Sequence, residues 1–200
     1  MAPTQAAYRD TNGDGDVDIT IGNPDGTEES NDWFGYSLAA GNFNGDPYDD
    51  LAVGVPNEDL WIDGTEYTNV GVTQVFHGSS DSISLSNEQF WQQDGEYSIG
   101  DMYGSHPEDG DKFGTSLTTG DFNGDGYSEL VVGAPNEGFA EIGGNVGSVN
   151  VIYGSDDGLG LPNHQWLYHD LAIGDDGSVL GSLVGEASFN TYFWKCDHNR

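Results

Sequence analysis

Positive charge is what this sequence most conspicuously lacks. Four lysines and arginines stand against 35 aspartates and glutamates, a formal net charge of −31 over 200 residues. Such a surface repels phosphate backbones and anionic lipid, so nucleic acid is excluded as a partner. Cysteine is nearly absent too. Cys196 stands alone, which rules out an internal disulfide framework and a Cys-based zinc site. No apolar run approaches the ~18 residues of a membrane-spanning helix, so no membrane insertion is expected. Neither His-Glu-x-x-His nor Gly-x-Ser-x-Gly occurs, and the five histidines (His77, His106, His164, His169 and His198) are scattered. We therefore assign no catalytic residue and do not read the chain as an enzyme. No Asn-x-Ser/Thr sequon is present, and the first residues have neither the basic nor the apolar region of a secretory signal.

Glycine and aromatics are plentiful, with 31 glycines and 12% Phe, Trp and Tyr. With glycine counted in, the apolar share is ordinary for a globular chain, so a packed core is expected despite the charge. The acidity has two readings. One is a saline habitat, where self-repulsion is screened; the other is a solvated acidic surface on an extracellular protein.

Acidic residues concentrate in a nine-residue pattern. Asp121, Asn123, Asp125 and Glu129 take positions 1, 3, 5 and 9 of one copy, with Gly126 at position 6 and Tyr127 at position 7. Asp10, Asn12, Asp14, Asp16 and Asp18 form another copy; Asn42, Asn44, Asp46, Tyr48 and Asp50 form a third. Side chains at 1, 3 and 5 of a tight loop turn towards one point, position 7 offers its backbone carbonyl, and position 9 closes the shell. Calcium takes six to eight such oxygens, so Ca2+ is the expected ligand. An EF-hand would need a carboxylate at position 12. Ile21, Val53 and Val132 stand there instead. The loop at 42–50 has fewer carboxylates and carries Pro47 where the others have glycine, so it is expected to bind most weakly.

The loops belong to a larger repeat. Phe113-Gly114-Thr115-Ser116-Leu117 follows Phe34-Gly35-Tyr36-Ser37-Leu38 by 79 positions. Gly147–Gly154 follows Gly71–Gly78 by 76, and Leu161–Trp166 follows Leu85–Phe90 by the same interval. Constant strands around a loop of changing length mark a structural repeat. Short β-branched runs between Gly, Pro, Asn and Asp clusters read as strands, about four per repeat, and no stretch has helical periodicity. An all-β chain of four-stranded antiparallel blades follows. Residues 1–33 read as a partial repeat with a calcium loop. Blades are expected at 34–111 and 112–178, with a degenerate or truncated start at 179–200. The segment between Pro56 and Gly71 reads as a polar connection.

Phe34-Gly35 with Gly54-Val55-Pro56, and Phe113-Gly114 with Gly133-Ala134-Pro135, each bracket one of the acidic loops. In these residues the chain resembles the FG-GAP repeat family, found in the β-propeller of integrin α subunits and in related surface proteins. The resemblance implies a propeller, usually seven-bladed, with the calcium loop joining the first two strands of a blade. It implies structural calcium, and adhesion or recognition outside the cell or at its surface. The partner would be a protein or a glycan. A full ring needs over twice this length, so only a partial ring is expected, completed by further blades in cis or trans. The alternatives are a carbohydrate-binding propeller lectin and the accessory domain of a secreted hydrolase or lyase. For a lectin, Trp61 is the aromatic expected to be exposed, while Trp91 and Trp166 are expected to pack between blades.

Overall fold

The computed structural model describes residues 8–9, 19–21, 30–62, 65–84, 88–93, 107–138, 145–168, 171–174 and 179–181. Every regular element among them is a β-strand. In chain order these are β1 (Tyr8–Arg9), β2 (Ile19–Ile21), β3 (Ser37–Gly41), β4 (Asp50–Val55), β5 (Leu60–Ile62), β6 (Thr65–Tyr67) and β7 (Val72–Phe76). They continue as β8 (Gln89–Trp91), β9 (Ser116–Gly120), β10 (Glu129–Ala134), β11 (Ser148–Tyr153), β12 (Gly160–Tyr168), β13 (Leu171–Gly174) and β14 (Val179–Gly181).

Two meanders carry the repeat. One sheet has the order β3-β4-β7-β8; another runs β9-β10-β11-β12 and continues through β13 and β14. All pairings are antiparallel, and the register repeats with the sequence. Ser37 pairs Gly54 and Gly41 pairs Asp50 in the first sheet, as Ser116 pairs Gly133 and Gly120 pairs Glu129 in the second. The acidic loops at 42–50 and 121–129 thus join the first two strands of their sheets, where a two-strand turn brings its own side chains together.

The two sheets stack face to face, as successive blades of a propeller do. One core cluster draws Phe43, Ala52, Val75 and Trp91 from the first and Phe113, Leu130, Val132 and Ile152 from the second. Its members lie on both sides of the contact, so neither sheet buries its apolar face alone. Trp91 is fully buried there; Trp166 is 3% exposed but is not part of that cluster. The backbones also approach closely. A Cβ on Gly54 would sit 2.1 Å from the Gly114 carbonyl oxygen, so a side chain there would push the blades apart. The Phe113-Gly114 turn is pinned across the contact: the Phe113 N–H donates to the Val70 carbonyl (2.8 Å), and Ser37 Oγ donates to the Gly114 carbonyl (2.6 Å).

The segment between Pro56 and Gly71 is not a plain polar connection. It forms the hairpin β5–β6, which pairs with β2 to make a third sheet, β1-β2-β5-β6. Leu60 packs under it with Val55, Val70 and Val72. Trp61 is correspondingly not the exposed aromatic a sugar platform would need. It lies half-buried in β5, between β2 and β6, with its indole nitrogen out of reach of solvent.

Candidate metal centre

In the loop at 121–129, Asp121, Asp125 and Glu129 bring one carboxylate oxygen each within 4.8 Å of one another. Backbone donors set the loop's shape. Asp121 Oδ1 accepts from the Gly124 N–H (2.6 Å) and the Asp125 N–H (3.1 Å), and its Oδ2 accepts from the Gly126 N–H (3.1 Å). Asn123 Oδ1 accepts from the Asp125 N–H (2.8 Å), and Asp125 Oδ1 from the Tyr127 N–H (2.9 Å). These short-range bonds curl the chain so that positions 1, 3 and 5 converge, and Asp121 Oδ2 and Asp125 Oδ1, with one hydrogen bond each, keep a second lone pair for a ligand. Gly126 turns at φ +98°, a conformation closed to proline.

Glu129 is the buried floor of this site. It is wholly inaccessible, while Asp121, Asn123 and Asp125 are exposed. Its Oε2 accepts from the Phe122 N–H (2.5 Å), but Oε1 is buried without a protein partner. Burial, reinforced by the charges of Asp125 and Asp121, holds its carboxyl above the usual range, against the Phe122 hydrogen bond. Tyr153 is pushed up as well, by burial and then by the Glu129 charge. A buried carboxylate oxygen without a donor is costly. A hard divalent cation meets that need, and the all-oxygen donor set with three carboxylates fits one.

The loop at 42–50 shares the backbone design and differs at the floor. Asn42 Oδ1 accepts from the Gly45 N–H (2.7 Å), Asn44 Oδ1 from the Asp46 N–H (2.9 Å), and Asp46 Oδ1 from the Tyr48 N–H (2.8 Å). Asp50, at the position of Glu129, has both oxygens engaged. Oδ2 accepts from the Phe43 N–H (2.9 Å); Oδ1 accepts from the Gly78 N–H (2.9 Å) and lies 3.3 Å from His77 Nδ1. Pro47 replaces Gly126 and removes the N–H that closes onto position 1 in the other loop. The Asn42 amide also donates to the Asp46 carbonyl (2.5 Å). Asp10, Asn12, Asp14, Asp16 and Asp18 lie outside the described residues.

A second acidic group, not singled out by the loop pattern, sits apart from these loops. Asp111 and Glu137 are each 1% exposed. Gln93 Nε2 donates to Glu137 Oε2 and, at 3.4 Å, to Ser148 Oγ. Asp111 Oδ2 accepts from the Glu108 N–H (2.7 Å). Burial, with the Asp111 charge behind it, pushes Glu137 up to about 8; burial pushes Asp111 up to about 7 despite the Glu108 hydrogen bond. Asp111 and Glu137 recur at the repeat positions of Asp32 and Glu58, the one signal of them in the sequence.

The FG-GAP repeat family profile matches residues 34–76 and 113–152, the segments holding the two described loops. Integrin alpha-PS2 of Drosophila melanogaster is 34% identical over 113 residues, 54% of this chain and 7% of that protein. Integrin alpha-PS5 of the same fly is 34% identical over 133 residues, 66% of this chain and 11% of its length. Phosphatidylinositol-glycan-specific phospholipase D of Rattus norvegicus is 30% identical over 124 residues, 62% of this chain and 13% of the enzyme. The chain therefore spans a small fraction of each relative. With the Phe-Gly and Gly-x-Pro elements in one repeated register around each loop, the chain is an FG-GAP repeat protein whose blades are similar to those of integrin α chains.

Proposed function

We propose that this chain is a calcium-stabilised FG-GAP propeller module for adhesion or protein recognition outside the cell or at its surface. The observation that carries the calcium reading is Glu129 Oε1, buried without a donor beside Asp121 and Asp125. Asp121, Asn123, Asp125, Tyr127 and Glu129 form the principal site, Tyr127 through its backbone carbonyl. Asn42, Asn44, Asp46, Tyr48 and Asp50 form a weaker one. Asp10, Asn12, Asp14, Asp16 and Asp18 are assigned to a further site by sequence pattern. Calcium here is structural: it links the turn between the first two strands to the buried start of the second. The ligand is a protein or a glycan, and residues 34–111 and 112–178 are taken as the blade limits. The integrin relatives favour recognition over catalysis, and the buried ring nitrogen of Trp61 removes the main argument for a lectin.

Extracellular calcium sites bind at about 10⁻⁴–10⁻³ M. At tenfold excess over such a Kd, linkage adds roughly 1.4 kcal/mol per site, several degrees of melting temperature at this chain length. Chelation with EDTA is expected to lower the midpoint by that amount, and calcium to restore it. An unchanged midpoint rejects the reading.

The floors of the two loops predict an order of filling. Calcium bound at 121–129 satisfies an unpaired oxygen. At 42–50 it competes with Gly78, Phe43 and His77 for Asp50. A titration followed by NMR is expected to shift the Gly124 and Gly126 amides before those of Gly45. Glu129→Gln is expected to remove the first step and leave the second. Saturation of the 42–50 loop first overturns this order.

A further inference from the structure

The contact between the blades has two halves, and among the described residues each half recurs once without its mate. The inserted half is the Phe113-Gly114 turn. The receiving half is formed by Gly54, Val70, Gly71 and Val72, which meet that turn through their backbones, and by Thr73, which meets it through Oγ1. Seventy-nine positions before the inserted turn stands Phe34-Gly35. Phe113 is wholly buried, whereas Phe34 is 63% exposed. On the other side, Thr73 is wholly buried, whereas Val149, its counterpart 76 positions later, is 37% exposed. Val149 lines an open groove of about 550 Å³ with Gly133, Pro135, Val146, Gly147 and Ser148. This groove is the receiving half of the second blade.

Both free halves are already in the conformation of the engaged ones. Backbone φ at Asn31, Trp33 and Gly35 is 87°, 63° and 86°; at Gly110, Lys112 and Gly114 it is 88°, 60° and 85°. Each turn is clipped by the asparagine of its own blade. Asn57 Nδ2 donates to the Asn31 carbonyl and Asn136 Nδ2 to the Gly110 carbonyl, both at 2.8 Å. The receiving edges match too. The Gly71 N–H donates to the Glu58 carbonyl and the Gly147 N–H to the Glu137 carbonyl, both at 3.0 Å. Little reorganisation would therefore oppose docking.

We propose that the exposed Phe34-Gly35 turn of one copy of this chain docks into the groove at Gly133–Val149 of a second copy, extending the blade stack head to tail. The bonds carried over by the repeat are the Phe34 N–H to the Val146 carbonyl, the Trp33 N–H to the Asn145 carbonyl, and Ser116 Oγ to the Gly35 carbonyl. They correspond to Phe113 to Val70, Lys112 to Asn69, and Ser37 to Gly114 within one chain. A charge contact carries over as well. Lys112 Nζ lies 5.6 Å from the Trp33 ring between successive turns, and docking sets the incoming Trp33 beside the receiving copy's Lys112. The contact is heterologous, so it closes into a ring or grows open-ended. A charge of −31 on each copy opposes association, and salt screens it. Association therefore strengthens with ionic strength, the opposite of a charge-driven contact.

The test is sedimentation velocity on the full chain at low and molar salt, with Phe34→Asp and Val149→Asp variants whose fold is checked by circular dichroism. Wild type is expected to sediment as two chains or larger in molar salt, and each variant alone as a monomer. An equimolar mixture of the two variants is expected to give a dimer and nothing larger. Phe34→Asp keeps an intact groove and Val149→Asp keeps an intact turn, so one contact forms and neither free end can extend it. Wild type that stays monomeric in molar salt overturns the proposal. So does a variant that associates like wild type, or a mixture that stays monomeric while wild type associates.

Discussion

Phe113→Ala is expected to destabilise the protein by about 3–5 kcal/mol, the range for removing a buried aromatic from a packed core. Phe34→Ala, the same substitution at the equivalent position of the preceding repeat, is expected to cost no more than about 0.5 kcal/mol. Phe113 has no exposed surface and sits in the cluster that joins the two blades with Phe43, Trp91 and Leu130. Its removal leaves a cavity at the one place where both sheets find their apolar partner. Phe34 is 63% exposed and supports no core cluster. Urea unfolding in dilute, low-salt solution, where the net charge opposes association, measures both. Equal costs would mean that the blades do not depend on this contact. In that case the Phe-Gly turn is a local feature of each blade, and the stacking of the sheets is incidental to stability.

Much of this architecture is legible in the residues because it is local. The strand after each loop follows from a short β-branched run, and the loop follows from oxygens at alternate positions. Register repeats because Ser37 and Ser116, and Gly54 and Gly133, recur at one interval, which fixes which faces of each sheet are apolar. What was not legible depends on distant partners. The hairpin β5–β6 reads in sequence as a polar connection because Asp59, Asp63 and Glu66 dilute Leu60, Trp61 and Ile62. Its strands are completed by β2, some forty residues earlier in the chain. The same dilution makes Trp61 read as a surface residue. Likewise Asp50 and Glu129 are equivalent in the loop pattern. Only His77 and Gly78, brought in by the next strand but one, separate a carboxylate with both oxygens engaged from one with an oxygen to spare. No local pattern could rank them that way. Carboxylate count and Pro47 are independent sequence grounds for expecting the 42–50 loop to bind more weakly.

Raising pH from 5 to 8 is expected to weaken the fold through Glu137 and Asp111. Both carboxyls are pushed up by burial, Glu137 from 4.5 to about 8 and Asp111 from 3.8 to about 7. An acid whose folded pKa lies above its unfolded one holds more protons when folded, between the two values. Its stabilising contribution is complete below the unfolded value and is lost as pH climbs through the folded one. The window is thus about pH 4 to 8. Glu108, Asp109, Gln93 and Ser148 are the other polar groups around the pair. None of them supplies a cation, so ionisation of one carboxyl discourages the other. Glu137→Gln keeps the volume and a hydrogen-bonding end without the charge. At pH 8 it is expected to stabilise the chain by about 1–3 kcal/mol relative to the parent, and at pH 5 to change it little. Urea midpoints with EDTA present isolate the effect from any metal at the acidic loops, because parent and variant share Asp121, Asp125 and Glu129. A variant whose advantage is equal at both pH values would show that Glu137 is ionised in the fold throughout. The carboxyl would then be held by a partner that offsets its burial. If instead the advantage grows between pH 5 and 8, the blade junction is held by a neutral acid. The stack of blades would then be tightest in mildly acidic solution, whether or not its acidic loops hold a metal.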